Sequence, residues 1–380
     1  GNMSQKKLKK IRKEENVVLG NLNKEEKIFG IREILKKNWK FLVILVFGII
    51  ALYFNSLWGD FVSDDYATIT QNKEVTSLKA AMSPSFFVNL VKTVISKIFG
   101  VSSSIPYHAT NLILYLLVLI AAFIFLSIFF ENLVVKLTLI IFAVFPVHVE
   151  AVSWISGVPY LLISLLVLIE LICLMYFLIT KKKKYLIFLL LFYLISFFTD
   201  RIRGFSFILL SGLTLISFKE KLKIKINIFN ILLVIALAFG ILFLVAWPMI
   251  NNRITTVNSG TNVSDSYYYN PFFQYPTAIT KYLQLIVFPI DLTLYHTMYT
   301  IPALLNWAIL LMYLTAIIWF FINNKKIFFA LAFIFVASAP SMAPVKVSWL
   351  VAERYVFLGS LGMALLMAIY FEKWWVKRKT

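Results

Sequence analysis

The sequence predicts an all-α polytopic membrane protein, with about ten transmembrane helices and amphipathic interfacial helices in its outer loops. Three observations carry this. The chain of 380 residues is 61% hydrophobic and only 14% charged, whereas a soluble domain carries roughly a quarter charged residues. Mean hydropathy is +0.84, and apolar runs of spanning length recur from end to end. Basic residues gather in the N-terminal region and in short clusters between the runs, as the positive-inside rule requires of cytoplasmic loops.

That distribution also interprets the net charge of +19. No basic patch with interleaved aromatics stands outside the membrane frame, so the expected partner is the lipid bilayer and not nucleic acid. The single cysteine, Cys173, lies in an apolar run and excludes an intrachain disulfide framework or a cysteine metal site. Gly1-Asn2-Met3-Ser4 reads as an appended leader before a native start and is set aside.

Residues 1–40 form a basic cytoplasmic tail, with Lys36, Lys37 and Lys40 at the membrane edge. The transmembrane domain covers 41–372 and a basic cytoplasmic end covers 373–380. A first span at 41–57 delivers the chain to a long outer loop, 58–107. Inside that loop Phe86, Phe87, Leu90, Val91, Val94, Ile95, Ile98 and Phe99 recur at helical spacing, with Asn89, Lys92, Thr93, Ser96 and Lys97 opposite. The run is short and carries two lysines, so it reads as a helix lying in the interface.

Spans follow at 109–130 and 133–147, joined by a tight inner turn at Glu131-Asn132. Span four, 159–180, ends on Lys181–Lys184; spans five and six, 185–199 and 205–218, meet outside at Asp200–Gly204. Span seven, 227–250, opens a second outer loop, 251–301, which is tyrosine-rich at Tyr267-Tyr268-Tyr269 and has an apolar interfacial segment near 277–289. Spans eight to ten are 302–322, 327–343 and 354–371, with a short outer loop opening at Pro344. Lysine clusters close spans four, six, eight and ten, the ends that a path starting inside returns to the cytoplasm. Both termini are then cytoplasmic.

On this path the unusual polar residues converge outside: Asp60, Asp64, Asp65, Glu74, Glu150, Asp200, Asp265, Asp291 and Glu353. His108, His148 and His296 join them, with Arg201, Arg203, Arg253 and Arg354. Acids, histidines and arginines on one face suit a phosphate-linked lipid substrate, because carboxylates move protons or bind metal and arginines grip phosphate in a bidentate way. Asp64-Asp65 is either a helix cap or a general base that takes a proton from an acceptor hydroxyl. His148 and Glu150, in Pro146–Trp154, either cap structure or bind substrate or a divalent metal, for which Mg or Mn is the candidate cofactor. Asp200-Arg201-Ile202-Arg203-Gly204 and Glu353-Arg354-Tyr355 are salt-bridged helix ends or phosphate sites. Glu170, near the middle of span four, is expected to face the bundle, as a structural hydrogen bond or a transport group.

Three ordered blocks carry a resemblance. They are Phe61-Val62-Ser63-Asp64-Asp65 with Asn72, then Tyr107-His108-Ala109-Thr110-Asn111, then Phe145-Pro146-Val147-His148-Val149-Glu150-Ala151-Val152-Ser153-Trp154-Ile155-Ser156-Gly157. With Ala352-Glu353-Arg354-Tyr355-Val356-Phe357-Leu358 they resemble the membrane part of the transmembrane-and-tetratricopeptide-repeat O-mannosyltransferases and their bacterial relatives, in the GT-C superfamily. The resemblance runs from about residue 58 to 360. It implies a GT-C-like fold in the cytoplasmic (inner) membrane with an extracytoplasmic site. There, a sugar passes with inversion from a polyprenyl-phosphate donor to a hydroxyl acceptor on protein, lipid or glycan.

By the same resemblance Asp64 and Asp65 match the family's essential acidic pair, and His148 and Glu150 its second acidic motif. His108 falls in the middle block and is a candidate for substrate binding with Arg201, Arg203 and Arg354. Two departures stand out: the repeats are absent, and Asp200–Arg203 replaces a Ser-Lys-Glu-like motif. Rival readings are a lipid or solute transporter built on Glu170 and a catalytically silent GT-C-like scaffold.

Overall fold

The computed structural model describes residues 30–82, 85–225, 227–238, 240, 247, 270–294, 296, 299–342 and 350–379. Among these the chain is helical without strands. Most of the expected tail, Arg253, Asp265, Tyr267-Tyr268-Tyr269 and Pro344 lie outside the described residues, as does much of the second outer loop.

Local chemistry sets the helix ends. Helix α1, Ile31–Tyr53, continues into a 3₁₀ turn, Phe54–Trp58. Helix α2, Phe86–Phe99, is the amphipathic segment of the first outer loop. Helix α3, Ile105–Ser127, carries proline in its first turn, where the missing N–H costs nothing. Helix α4, Asn132–Ala143, precedes a short α5, His148–Ser153, and a single 3₁₀ turn leads into α6, Val158–Thr180. Lys181 ends α6 at φ 58°, and its N–H bonds back to the Phe177 carbonyl. Helix α7, Lys183–Thr199, returns to a short turn, Arg201–Gly204, capped by the Asp200 carboxylate on the N–H groups of Ile202 and Arg203. Helices α8, Ser206–Phe218, α9, Pro271–Val287, and α10, Ala303–Asn323, follow. Asn324 caps α11, Lys325–Ser338, and a 3₁₀ turn at Glu353–Val356 precedes α12, Ser360–Lys379.

Among the described residues, five helical stretches are long and apolar enough to cross a membrane: Ile31–Trp58, Ile105–Ser127, Ile155–Thr180, Arg201–Phe218 and Ala303–Asn323. The chain is therefore an all-α membrane protein. The expected third, fifth and ninth spans are helices of 12, 17 and 14 residues, short of the roughly 20 needed to cross unaided. Helix α12 has 20 residues, but its second half carries Glu372, Lys373, Lys377, Arg378 and Lys379.

Burial orders the bundle. In α3 and α6, 61% of the most apolar stretch is buried, against 17% in the first stretch and 11% in α10. The first two form the centre and the others the rim, where Ile44, Phe47, Leu304, Met312 and Ile322 face outward as lipid contacts should. One continuous core of aromatic and aliphatic side chains joins α3, α4, α6, α8, α11 and α12, with Phe125, Phe129, Phe218 and Phe329 packed ring against ring. Helices α11 and α12 approach closely at Gly362, where a Cβ would collide with the Ala330 carbonyl.

The bundle has two polar ends. At one, Lys221 Nζ donates to the Phe129 carbonyl at 2.8 Å, and Lys326 lies 4.0 Å from Glu131. This gathers three connections that the sequence places on the inner side. The other end gathers the first outer loop, α5, the Arg201–Gly204 turn and the Glu353–Val356 turn.

Candidate active site at the acidic end of the bundle

The acid loop begins where His108, one turn into α3, donates from Nε2 to the Gly59 carbonyl at 3.0 Å. Ser104 also donates to that carbonyl, at 2.5 Å. Four residues after Gly59, Ser63 takes φ 52°, a left-handed conformation that costs a non-glycine residue about 1–2 kcal/mol. A reciprocal pair holds it there: Asp65 N–H donates to the Val62 carbonyl and Val62 N–H donates to Asp65 Oδ2, both at 3.0 Å. The turn separates two neighbouring acids. Asp65 is wholly buried and receives the Ser156 hydroxyl on Oδ1 at 2.5 Å. Asp64 is exposed, and among the described residues nothing donates a hydrogen bond to its carboxylate.

Lys92 is the unexpected member. Helix α2 buries part of its polar stripe: Lys92, Thr93 and Ser96 are buried with Val88 and Ile95, while Lys97, Val94, Ile98 and Phe99 are exposed. Lys92 Nζ donates to Thr68 Oγ1 at 3.0 Å. Burial pushes its ammonium below the usual lysine range, and the carboxylates of Asp65 and then Asp64 oppose that shift.

A second cluster lies across Trp154. The indole Nε1 reaches the Val62 carbonyl at 3.5 Å, and its ring stacks 5.2 Å from the Arg354 guanidinium. Arg354 pairs with Glu150 through Nη1, and its backbone N–H donates to the same carboxylate at 2.8 Å. Burial pushes Glu150 up from the ordinary carboxylate range, and Arg354 works against that. Tyr160, in the first turn of α6, joins two arginines: its hydroxyl accepts from Arg354 Nε at 3.2 Å and Arg203 Nη2 at 3.0 Å. Arg203 pairs with Asp200 and lies 4.4 Å from the Tyr160 ring. A cavity of about 30 Å³ is lined by Tyr160, Arg203, Ser206, Arg354 and Tyr355, among others. It has room for one or two waters.

Each sequence candidate now has a place. Asp64, Asp65, Glu150, Arg203 and Arg354 come together at one end of the bundle. Arg201 stacks 5.2 Å from Phe197 on its own side of the turn, so of the two arginines it is Arg203 that meets Tyr160. His108 braces the loop's start. His148 is sealed in the core, its Nδ1 at 2.8 Å from the Tyr115 hydroxyl and its Nε2 at 2.8 Å from the Ser360 hydroxyl. Both ring nitrogens are engaged and Glu150 is held by Arg354, so this pair is not arranged to share an ion with each other. Among the described residues no group of three or more metal-ligating side chains comes together.

Glu170 lies inside the bundle, as the sequence leads one to expect. It is wholly buried and faces the bundle, with the Ser196 hydroxyl of α7 as its polar neighbour. Sequence reasoning missed Tyr160 and Lys92. Tyr160 sits at the head of an apolar span, where a tyrosine reads as an interfacial anchor. Lys92 stood in the polar stripe of a helix whose covered face the pattern alone does not reveal.

No protein-family model, no curated protein and no solved structure matches this chain.

Proposed function

We propose that the chain is an inverting glycosyltransferase of the GT-C type, with about ten spans and both termini in the cytoplasm. It would work on the outer face of the cytoplasmic membrane. Its donor is a polyprenyl-phosphate-linked sugar and its acceptor a hydroxyl on protein, lipid or glycan. The observation that carries this reading is the pairing, across Trp154, of an exposed carboxylate that accepts no hydrogen bond from the described residues with two guanidinium groups joined by one tyrosine.

Asp64 takes the proton of the acceptor hydroxyl. The acceptor oxygen then bonds to the anomeric carbon from the face opposite the phosphate, and the bond from that carbon to the phosphate oxygen breaks. The lipid phosphate departs with the electron pair. Arg203 and Arg354 receive it where negative charge grows. With room only for a water or two, the cavity admits a phosphate when Arg354 or Arg203 turns from its carboxylate towards the donor. Asp65 fixes the loop and does not touch the acceptor.

The test is release of lipid phosphate from a panel of polyprenyl-phosphate sugars by purified protein, with and without EDTA. Arg354→Lys supplies the arm for the phosphate grip. A point-charge ammonium replaces a planar fork there, so donor KM should rise about tenfold or more. An unchanged KM would remove Arg354 from the donor site.

One observation favours a second reading, a lipid or solute transporter. Glu170 is a wholly buried carboxyl inside a helix long enough to span. That reading requires Glu170→Gln to abolish flux while Asp64→Asn leaves it intact.

A further inference from the structure

The two lysines of α2 have opposite fates. Lys97 is exposed, as a lysine on an interfacial helix should be, whereas only 7% of Lys92 is accessible. Burying an ammonium is unfavourable unless a partner compensates, and the partners here belong to the acid loop. Lys92 Nζ donates to Thr68 Oγ1 at 3.0 Å, and the same hydroxyl donates onward to the Asp64 backbone carbonyl at 2.8 Å. A donor relay therefore runs from α2 to the backbone of the exposed acid, one residue after the strained Ser63. The helix that supplies Lys92 is tied down independently, since Ser96 Oγ and the Tyr107 hydroxyl of α3 are 2.8 Å apart.

We infer that Lys92 is a positioning residue for the transfer reaction, acting through Thr68 to hold the Asp64 backbone at the geometry in which its carboxylate meets the acceptor hydroxyl; this rests on the transferase reading above. Lys92 touches neither donor nor acceptor. It sets where the base stands, which a merely structural lysine would not do.

The experiment measures kcat and donor KM for wild type, Lys92→Met, Lys92→Arg, Thr68→Val and the Lys92→Met/Thr68→Val double variant. Size-exclusion profiles check the fold of each. A base displaced by about an ångström loses on the order of 100-fold in rate, so Lys92→Met should lower kcat by about 10- to 100-fold with donor KM within about twofold. Lys92→Arg keeps the donor and the charge and should recover most of the loss. If both groups act through one relay their effects are not additive, and the double variant should be no slower than Lys92→Met. A folded Lys92→Met with wild-type kcat, or a fully additive double variant, would overturn the role. Should Lys92→Met fail to fold, Thr68→Val decides, because a wild-type kcat there means that no relay operates. A wild type that releases no lipid phosphate sinks the transferase reading and this role together. An active wild type with indifferent variants sinks the Lys92 role alone.

Discussion

Two adjacent carboxylates can divide labour only if the backbone gives them different surroundings, and the left-handed Ser63 does so. Asp65 turns into the protein, to Ser156 and the Val62 N–H, while Asp64 stays at the surface. Ser156→Ala, which leaves the Asp65–Val62 pair in place, should therefore act mainly on stability. Loss of one such hydrogen bond costs about 1 kcal/mol net, which a melting curve in detergent would register as a small drop with activity retained in proportion to folded protein. Loss of turnover by folded Ser156→Ala, without a change in melting, would contradict the division. The acid pair itself was legible in the sequence; its division was not, since it depends on one φ angle. His148 makes a separate prediction. Burial pushes its imidazole down to about 3 from the ordinary 6.5. The unfolded chain binds a proton that the folded chain refuses, so stability is full above 6.5 and falls as pH drops towards 3. Melting temperature should decline between about pH 7 and about pH 5, and His148→Gln should flatten that slope. An equal slope in the variant would mean that other groups set it.

Among the elements, α2 and the turn Arg201–Gly204 show what a pattern conveys. Helical spacing located α2 at 86–99, the bounds the structure has. It did not say that Lys92 would be buried against the acid loop, because amphipathicity distinguishes two faces without saying which one protein covers. In the second turn, Arg201 and Arg203 look equivalent in sequence. Asp200 separates them: it caps the turn and pairs with Arg203, and that guanidinium then reaches Tyr160. Tyr160→Phe removes the one acceptor that two guanidinium groups share, and hydrogen bonds to charged groups are worth about 1.5–3 kcal/mol each. Donor KM should rise by about tenfold or more while the fold holds, read from the same phosphate-release assay. A Tyr160→Phe enzyme with wild-type KM would show that the arginines need no common brace.

Across the whole molecule, Lys221 and Lys326 gather at one end of the helices with Phe129 and Glu131, and the acid loop gathers at another with Ser156. The span count was less legible. The stretches 133–147, 185–199 and 327–343 read as spans in the sequence, yet their helices of 12, 17 and 14 residues are shorter than a bilayer's hydrocarbon core. Sidedness has a direct check. With buried Cys173 replaced by alanine, Gln71→Cys should react with a membrane-impermeant maleimide on intact cells, and Lys183→Cys only after permeabilisation. Labelling of both from one side would break the alternation on which the active-site assignment depends.

The central claim is that Asp64 is the base of a sugar transfer from a lipid phosphate. The measurement is turnover of polyprenyl-phosphate sugars by purified wild type and Asp64→Asn at matched folding. General-base removal costs about 10²- to 10⁴-fold, so release of lipid phosphate should be readily seen in wild type and nearly absent in the variant. Equal turnover by the two proteins, or none by wild type with any donor, would contradict the account.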